Sequence, residues 1–177
     1  MEHTEASSVR IEPWSDSDLE LLRRANAPEL MGHLGGPESE EQLIGRHARY
    51  VALSADRTGR GRMFRIALTT GEDEAVGTIG FWERTWRGQE VYETGWAVLA
   101  GFQGRGIASA ATAAVVEQAR AERKHRYLHA YPSVANGASN GVCRKAGFTL
   151  LGECEIEYPP GHPLLTNDWR LDLHPDR

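Results

Sequence analysis

The hydrophobic and polar positions along the chain follow two periods, and each period predicts one kind of element. Short runs of β-branched and aromatic residues, some alternating with polar ones, predict strands. Polar stretches at 69–74 and 83–90 separate three of these runs and predict two antiparallel hairpins. The seven predicted strands cover residues 9–14, 63–68, 75–82, 91–99, 127–131, 148–158 and 169–173.

Helical periodicity occurs between these runs. Apolar residues at three- and four-residue spacing predict a helix over 19–32, which Pro28 kinks or breaks. A Ser-x-x-Gln capping box at 39–42 predicts the start of a second helix, which ends near residue 55. A third, alanine-rich helix is predicted over 107–120.

The junction between the strand at 91–99 and the third helix has the composition of an anion site. Residues 103–108 read Gln-Gly-Arg-Gly-Ile-Ala. Gly104 and Gly106 allow backbone angles closed to other residues and leave no side chain in the way, so successive N–H groups can converge on an anion. The helix N-terminus and Arg105 add positive charge at the same point. The junction therefore predicts a phosphate-binding turn.

This junction resembles the acetyl-CoA-binding signature of the GNAT superfamily of acyltransferases. A second segment, Asn-Gly-Ala-Ser-Asn-Gly-Val-Cys-Arg-Lys-Ala-Gly-Phe at 136–148, is similar to a helix of the same superfamily and follows the first motif in the right order. The Glu-x-Gly-Trp strand and the Asn-x-x-Ser helix start are most similar to the branch named after the ribosomal-protein alanine acetyltransferases. In the first motif the matching positions are Gln103, Gly106 and Ala108, with Gly104, Arg105 and Ile107 between them.

The resemblance implies one GNAT acetyltransferase domain over residues 1–177. Its fold is expected to be α/β (α+β), with a mixed, mostly antiparallel central sheet flanked by helices. The resemblance also implies acetyl-CoA as cosubstrate, no metal, and direct attack of a primary amine on the thioester in a ternary complex. The acceptor is left open between a small molecule and a protein N-terminus, and the assembly between a monomer and a homodimer.

Two other functions stay open on the sequence alone. Paired glycines before a helix also occur in dinucleotide-binding folds, but those folds need a carboxylate about 20 residues further on. Residues 123–126 are basic at that place, although Glu122 precedes them. The other alternative is a non-catalytic acyl-CoA-binding sensor. A plain glycine turn would explain the first motif but not the segment at 136–148.

Length and composition limit the classes of protein to which the chain can belong. The chain has 177 residues, of which 40% are hydrophobic and 25% charged, which suits one globular domain that needs no disulfide or metal. No run approaches a membrane span, and the first residues lack a secretory signal, so we expect a cytoplasmic protein. A net charge of -5 argues against a nucleic-acid partner. Cys143 and Cys154 show no metal or redox spacing, so we expect free thiols.

Direct attack requires a neutral amine. An alkyl amine with a pKa of about 10.4 is neutral to about one part in 10³ at pH 7, so a base or proton relay is expected. Glu93, on the strand that leads to the phosphate turn, is the first candidate, and a cross-strand salt bridge is the alternative role for it. Glu155 and Glu157 are further candidates, which the solvent face of an edge strand also explains.

The leaving thiolate needs a proton donor. Many superfamily members use a tyrosine on the last helix, but Cys143 stands at that place here. The resemblance therefore implies Ser139 as the proton donor. The alternative role for Ser139 is a helix N-cap. The cofactor contacts implied by the resemblance are Val98, Gln103, Gly104, Arg105, Gly106, Ile107, Ala108, Asn136 and Arg144. The acceptor contacts it implies are Trp82, Tyr131 and Tyr158, with Trp86, His33 and His162 on the same side. Core packing would explain any one of these rings.

Overall fold

The computed structural model describes residues 8–70, 74–158 and 160–176. The strands are β1 (Val9–Pro13), β2 (Gly61–Leu68), β3 (Ala75–Trp86), β4 (Gln89–Val98), β5 (Tyr127–Ala130), β6 (Thr149–Glu157) and β7 (Pro163–Asp172). They form one sheet in the order β1-β2-β3-β4-β5-β7-β6. Only the β4–β5 pair is parallel among these neighbours. The predicted class, a mixed and mostly antiparallel sheet with helices, is confirmed.

Five α-helices accompany the sheet in the described ranges. They are α1 (Leu19–Ala25), α2 (Pro28–Met31), α3 (Glu40–Ala55), α4 (Ile107–Glu122) and α5 (Gly137–Lys145). Pro28 breaks the first predicted helix, because it occupies the first turn of α2, where its missing N–H costs no hydrogen bond. The predicted capping box at α3 is confirmed: Ser39 N–H donates to Gln42 Oε1 (2.8 Å), and Gln42 N–H donates to Ser39 Oγ (3.2 Å).

The helices cover both faces of the sheet. Neighbouring residues of a strand point to opposite faces, and Met63 and Phe64 of β2 belong to different buried clusters. Phe64 packs in the cluster that contains Val115 of α4, and Met63 in the cluster that contains Leu22 of α1 and Leu43 of α3. The core therefore consists of an α4 layer on one face and an α1–α3 layer on the other.

The β3–β4 connection differs from its prediction. The polar stretch at 83–90 is mostly strand, and a two-residue turn at Arg87 and Gly88 joins the strands. Both turn residues have positive φ, 51° and 80°, as such tight hairpins require. The predicted eight-residue connection is wrong because its polar residues pair across the hairpin; Arg84, for example, donates to Glu93.

Other boundaries agree with the sequence to within a few residues, apart from β7, which begins at Pro163, well before the predicted run at 169–173. The hairpin turn predicted at 69–74 lies partly outside the described residues. The strands that flank this turn, β2 and β3, pair antiparallel as predicted.

The sheet opens between β4 and β5. These two strands pair only at Tyr92 with Leu128 and at Glu93 with His129. Beyond that point β5 ends at Ala130, whereas β4 continues to Val98. The last part of β4 therefore has a neighbour in the sheet on its β3 side but none on its β5 side, and a cleft opens there.

Candidate active site

A cavity of about 630 Å³ lies at this opening in the sheet. Its volume falls within the range of about 300–1,000 Å³ that small-molecule sites occupy. It is lined by β4 from Glu93 onward, by the turn before α4, by the start of α5, and by side chains from α1 to α3. The predicted site residues that line it are Trp82, Glu93, Val98, Gln103, Gly104, Gly106, Ile107, Ala108, Tyr131, Asn136, Ser139, Tyr158 and His33.

The turn before α4 leaves open space above two glycines. Gly104 and Gly106 have φ of 76° and 74°, left-handed angles that side chains rarely adopt. A Cβ added at either position would meet no atom within 4 Å apart from its own chain neighbours, so no other part of residues 8–70, 74–158 and 160–176 fills this space. The Gln103 side chain instead folds back, and its Nε2 donates to the carbonyl of Val98 (3.0 Å). Gln103 therefore fixes the turn that presents the two glycines.

The N-terminus of α4 adds hydrogen-bond donors to this turn. Gly106 is its N-cap and has no side chain that could accept from the first turn. The first N–H groups of a helix have no intrahelical partner, and they carry the positive end of the helix dipole. Since Ile107, Ala108 and Ser109 line the cavity, the structure offers an anion site there.

Two predicted cationic contacts lie outside the cavity wall. Arg105 is exposed and packs over the ring of Phe102, 5.4 Å from its centroid. Arg144 is exposed on α5 and packs over Trp169, also at 5.4 Å. The structure therefore does not bring either guanidinium together with the other predicted contacts, and neither lines the cavity.

The start of α5 brings Asn136 and Ser139 to the cavity. Asn136 is the N-cap, because its Oδ1 accepts from the N–H of Ser139 at 3.1 Å. The N-cap role considered for Ser139 thus belongs to Asn136. The Ser139 hydroxyl makes no hydrogen bond within the part of the chain that the structure describes, and the residue lines the cavity. Its hydroxyl is therefore available to a ligand.

Asn140 holds this segment in place, although the sequence did not predict it as a site residue. It is buried at 8% exposure. Its Nδ2 donates to the carbonyls of Ser133 (3.0 Å) and Asn136 (2.8 Å). Its Oδ1 accepts from Asn167 Nδ2 (2.8 Å) and from Trp169 Nε1 (2.9 Å). The second asparagine of the Asn-x-x-Ser-Asn run was the signal that could have identified it.

Glu93 is the last β4 residue paired with β5, so its carboxylate stands where the sheet opens. It lines the cavity, and its side chain is 16% exposed. Burial raises the pKa of Glu93, while hydrogen bonding and charge from Arg84 and Trp82 oppose that rise without cancelling it. A carboxylate with a raised pKa is a stronger base than an exposed one.

A polar and aromatic cluster lies beside Glu93 on the same face of the sheet. Arg84 donates to Glu93 Oε1 at 2.6 Å, and Trp86 donates to Asp168 Oδ2 at 3.1 Å. His129 Nδ1 donates to Asp168 Oδ1 at 2.6 Å, and both residues are buried. Arg84, His129 and Asp168 were not predicted as site residues from the sequence. The correct β3–β4 register would have indicated Arg84.

Part of the cavity wall is aromatic. Of the predicted acceptor contacts, Trp82, Tyr131 and Tyr158 line the cavity, while Trp86 and His162 do not. Burial raises the pKa values of Tyr131 and Tyr158, so both phenols are neutral at physiological pH. The Tyr131 hydroxyl is buried and has no hydrogen-bond partner in the described ranges.

Arg46 and Tyr50 of α3 add to this wall. Arg46 donates to the Tyr50 hydroxyl at 3.4 Å and forms an ion pair with Glu38. The guanidinium is thus already engaged with groups of the protein, and its charge is balanced by Glu38.

The other candidate acids and bases lie away from the cavity. Glu155 and Glu157 are exposed on β6 and do not line it. Cys143 is fully buried in the α4-side core, and burial raises the pKa of its thiol to about 12. The structure therefore leaves Glu93 and Ser139 as the predicted proton-transfer groups that reach the cavity.

Both cysteines of the chain are free thiols. In residues 8–70, 74–158 and 160–176, no group of three or more His, Cys, Asp or Glu side chains could hold a metal ion. None of the helices described in these ranges has the length and apolar character needed to cross a membrane.

Comparison with solved structures identifies proteins of the same fold. An acetyltransferase (GNAT family) from Bacillus anthracis is 21% identical over 96% of this chain and 98% of its own, with a TM-score of 0.74. An acetyltransferase from Salmonella typhimurium that modifies the N-terminal serine of ribosomal protein L7/L12 is 20% identical over 96% of both chains, with a TM-score of 0.71. A spermidine N-acetyltransferase from Vibrio cholerae, solved with CoA and spermine, is 13% identical over 93% of this chain and 95% of its own (TM-score 0.72).

Sequence comparison gives the family. No curated protein sequence matches significantly. The family model described as an acetyltransferase (GNAT) domain matches residues 8–149, which is most of the chain. The fold and the family predicted from the two motifs are confirmed, and the dinucleotide-binding alternative is wrong. The chain therefore belongs to the acetyltransferase (GNAT) domain family and is an acetyl-CoA-dependent acyltransferase.

Proposed function

We propose that this protein is an N-acetyltransferase that moves the acetyl group of acetyl-CoA to a primary amine by direct attack in a ternary complex. One observation carries the proposal: a single cavity is lined both by the uncapped N-terminus of α4 and by the buried carboxylate of Glu93. The first feature suits a pyrophosphate, and the second suits removal of a proton from an ammonium group.

The residues present fit acetyl-CoA. The first N–H groups of α4 and the space above Gly104 and Gly106 would hold the pyrophosphate. The part of β4 that has lost its β5 neighbour ends at Val98 and would offer backbone groups to the amides of the pantetheine arm. Asn136 stands across the opening, and the exposed Arg105 and Arg144 are proposed to meet the outer phosphates from the rim.

Two proton transfers are proposed for residues of the chain, one from the amine and one to the leaving sulfur. Making an alkylammonium neutral at pH 7 costs about 4.6 kcal/mol. Glu93 is the proposed acceptor of the proton that the amine loses as it attacks the thioester. The Ser139 hydroxyl donates a proton to the sulfur as the C–S bond of the thioester breaks. Such a donor acts mainly where negative charge develops, so it stabilises the transition state more than the bound substrate.

The acceptor is proposed to be a primary amine of a small molecule or of a protein N-terminus. The rings of Trp82, Tyr131 and Tyr158 suit a cationic or amphipathic acceptor, because ring faces attract cations. Two structural neighbours are named for amine acceptors, a serine N-terminus and spermidine. The cytoplasmic location, the single-domain organisation and the monomeric or homodimeric state stay predictions.

Thermal unfolding with acetyl-CoA tests the binding step. A ligand at about 100 times its Kd stabilises the folded state by about 2.7 kcal/mol, which for a chain of this size raises Tm by roughly 5–10 °C. The absence of a shift at saturating acetyl-CoA would overturn the proposal. A shift without release of CoA on any member of an amine panel would favour the sensor function instead.

Kinetics of variants test the chemical step. Glu93→Gln should lower kcat by about 10² to 10⁴ and flatten the acidic limb of the pH–rate profile. Glu155→Gln, on the exposed edge strand, is the matched control and should keep wild-type kinetics. Ser139→Ala should lower kcat more than it weakens acetyl-CoA binding. Unchanged turnover and an unchanged acidic limb in Glu93→Gln would assign that carboxylate a structural role.

A further inference from the structure

The carboxylate of Glu93 has a partner that does not reach the cavity. Arg84 Nη1 donates to Glu93 Oε1 at 2.6 Å from the neighbouring strand β3. Glu93 lines the cavity, whereas Arg84 does not. Arg84 is therefore placed to act on Glu93 without touching a substrate bound in the cavity.

Two aromatic rings hold the Arg84 guanidinium. Its Cζ lies 5.1 Å from the ring centroid of Trp86 and 5.0 Å from that of Tyr131. The two rings are themselves 5.0 Å apart and inclined at 58°. A planar guanidinium packs well on aromatic faces, which an ammonium group does less effectively. The rings thus fix the direction from which Arg84 meets Glu93.

The Trp86 ring is in turn tied to a buried pair of hydrogen-bonded side chains, Asp168 and His129. Its Nε1 donates to Asp168 Oδ2 at 3.1 Å, and Asp168 Oδ1 accepts from His129 Nδ1 at 2.6 Å. Burial would raise the pKa of Asp168, but the hydrogen bond and charge of His129 outweigh it and hold that pKa below its usual range. Asp168 therefore stays ionised and anchors Trp86 across 82 positions of the sequence.

The electrostatic surroundings of Glu93 come from several elements. On the neighbouring strands, the cation of Arg84 and the indole of Trp82 favour its ionised form, as does the charge of His129. Burial favours the neutral form and outweighs them. The titratable or charged groups that face Glu93 or share its cavity are Arg84, His129, Tyr131, Asp168, Arg46, Tyr50, Glu29, His33 and Tyr158.

We propose that Arg84 is a positioning residue for the reaction, packed against both Trp86 and Tyr131 so that it aims the Glu93 carboxylate into the cavity and balances its charge. This inference rests on the proposed role of Glu93 as the base. Arg84 itself contacts neither substrate, so its effect on turnover passes through Glu93.

Removal of the Arg84 cation should shift the pKa of Glu93 in a defined direction. An opposite charge in hydrogen-bond contact lowers a carboxyl pKa by about one to three units, so removal of Arg84 would raise the pKa of Glu93 further. The base would then be protonated over a wider range, and the acidic limb of the pH–rate profile would move to higher pH. The acceptor amine titrates identically in both enzymes, so the difference between their profiles reports Glu93.

The test compares kcat against pH for four purified variants at saturating acetyl-CoA, with the most active amine of the panel as acceptor. Arg84→Met keeps the length of the stem and removes the charge, and it should move the acidic limb up by about one pH unit or more. Arg84→Lys keeps the positive charge but loses the planar stacking on the rings. The acidic limb of its profile should therefore lie at the wild-type pH, while its maximal kcat stays below that of wild type. Arg87→Met is the matched control, because Arg87 also packs on Trp86, at 5.1 Å, but has no bond to Glu93. The acidic limb of the Arg87→Met profile should coincide with that of wild type.

The fourth variant, Glu93→Gln, separates the two proposals. If Glu93→Gln keeps full turnover, the base assignment fails and the role of Arg84 fails with it. If Glu93→Gln is inactive while Arg84→Met superimposes on the wild-type profile, only the positioning role is overturned. Should Arg84→Met not fold, as judged by its thermal transition, Arg84→Lys decides: a wild-type plateau overturns the proposal, and a lowered plateau with an unmoved limb supports it.

Discussion

Replacement of Asn140 by alanine would remove the side chain that ties the start of α5 to β7. Asn140 is buried and makes four side-chain hydrogen bonds, two as donor and two as acceptor. The backbone carbonyls of Ser133 and Asn136 each keep a second donor, from Asn136 N–H (2.9 Å) and from the N–H of residue 140 (3.1 Å). The amide of Asn167 is half-buried and can turn to water.

The largest part of the stability lost in Asn140→Ala arises at Trp169. Its indole N–H is left without an acceptor while the residue is only 3% exposed. A stranded buried donor costs about 1–3 kcal/mol, and the hydrogen bonds lost at the carbonyls add about 1 kcal/mol. We therefore expect the free energy of unfolding to fall by about 2–4 kcal/mol, which for a chain of this size lowers Tm by roughly 5–15 °C.

Urea unfolding followed by tryptophan fluorescence measures this change. Asn167→Ala, which removes only the half-buried partner, is the matched control and should cost less than about 1 kcal/mol. Trp169→Phe in the Asn140→Ala background removes the stranded donor, so the two substitutions together should cost less than the sum of the single changes. An Asn140→Ala protein as stable as Asn167→Ala would refute the reasoning.

Three further outcomes are expected. Gly106→Val should abolish the Tm shift given by acetyl-CoA, because its side chain would enter the space above the turn, whereas Gly101→Val, outside the turn, should keep the shift. Tyr92→Phe should lower the free energy of unfolding by about 1–2 kcal/mol in urea titrations, since the buried phenol donates to the carbonyl of Gly59 at 2.6 Å. The folded-state pKa of Asp168 is lowered, so its stabilising contribution is fully present above the unfolded pKa of about 3.9 and is lost as pH falls through the folded value. Acid titration of Asp168→Asn should accordingly show a weaker fall in stability over that range than wild type.

The elements that the sequence predicted well are those whose signals are local. The capping box at 39–42 specifies the start of α3 because both of its hydrogen bonds join residues three apart. The glycines at 104 and 106 specify their turn because residues with side chains rarely adopt the required angles. The two family motifs located the turn before α4 and the start of α5, both of which line the cavity, for the same reason, since each motif is a continuous segment.

The parts that the sequence did not predict depend on pairing between distant residues. Arg84 was assigned to a connection because its composition is polar, and only the strand register shows that it faces Glu93. The bond from Trp86 to Asp168 and that from His129 to Asp168 join β7 to two other strands. Nothing in the local pattern around Asp168 distinguishes it from a solvent-facing residue of an alternating strand.

The register between β3 and β4 gives a physical reason for the Glu-x-Gly motif of β4. Glu93 and Gly95 lie on the same face of β4, because alternate residues of a strand share a face. Trp82 is the cross-strand partner of Glu93, and its ring crosses toward position 95, where an added Cβ would lie 3.2 Å from Cη2. A Cβ there would push the indole aside by a few tenths of an ångström. Glycine at this position lets the indole lie beside the carboxylate, where its hydrogen bond favours the ionised form of Glu93 that can accept a proton, in opposition to the burial that raises the pKa.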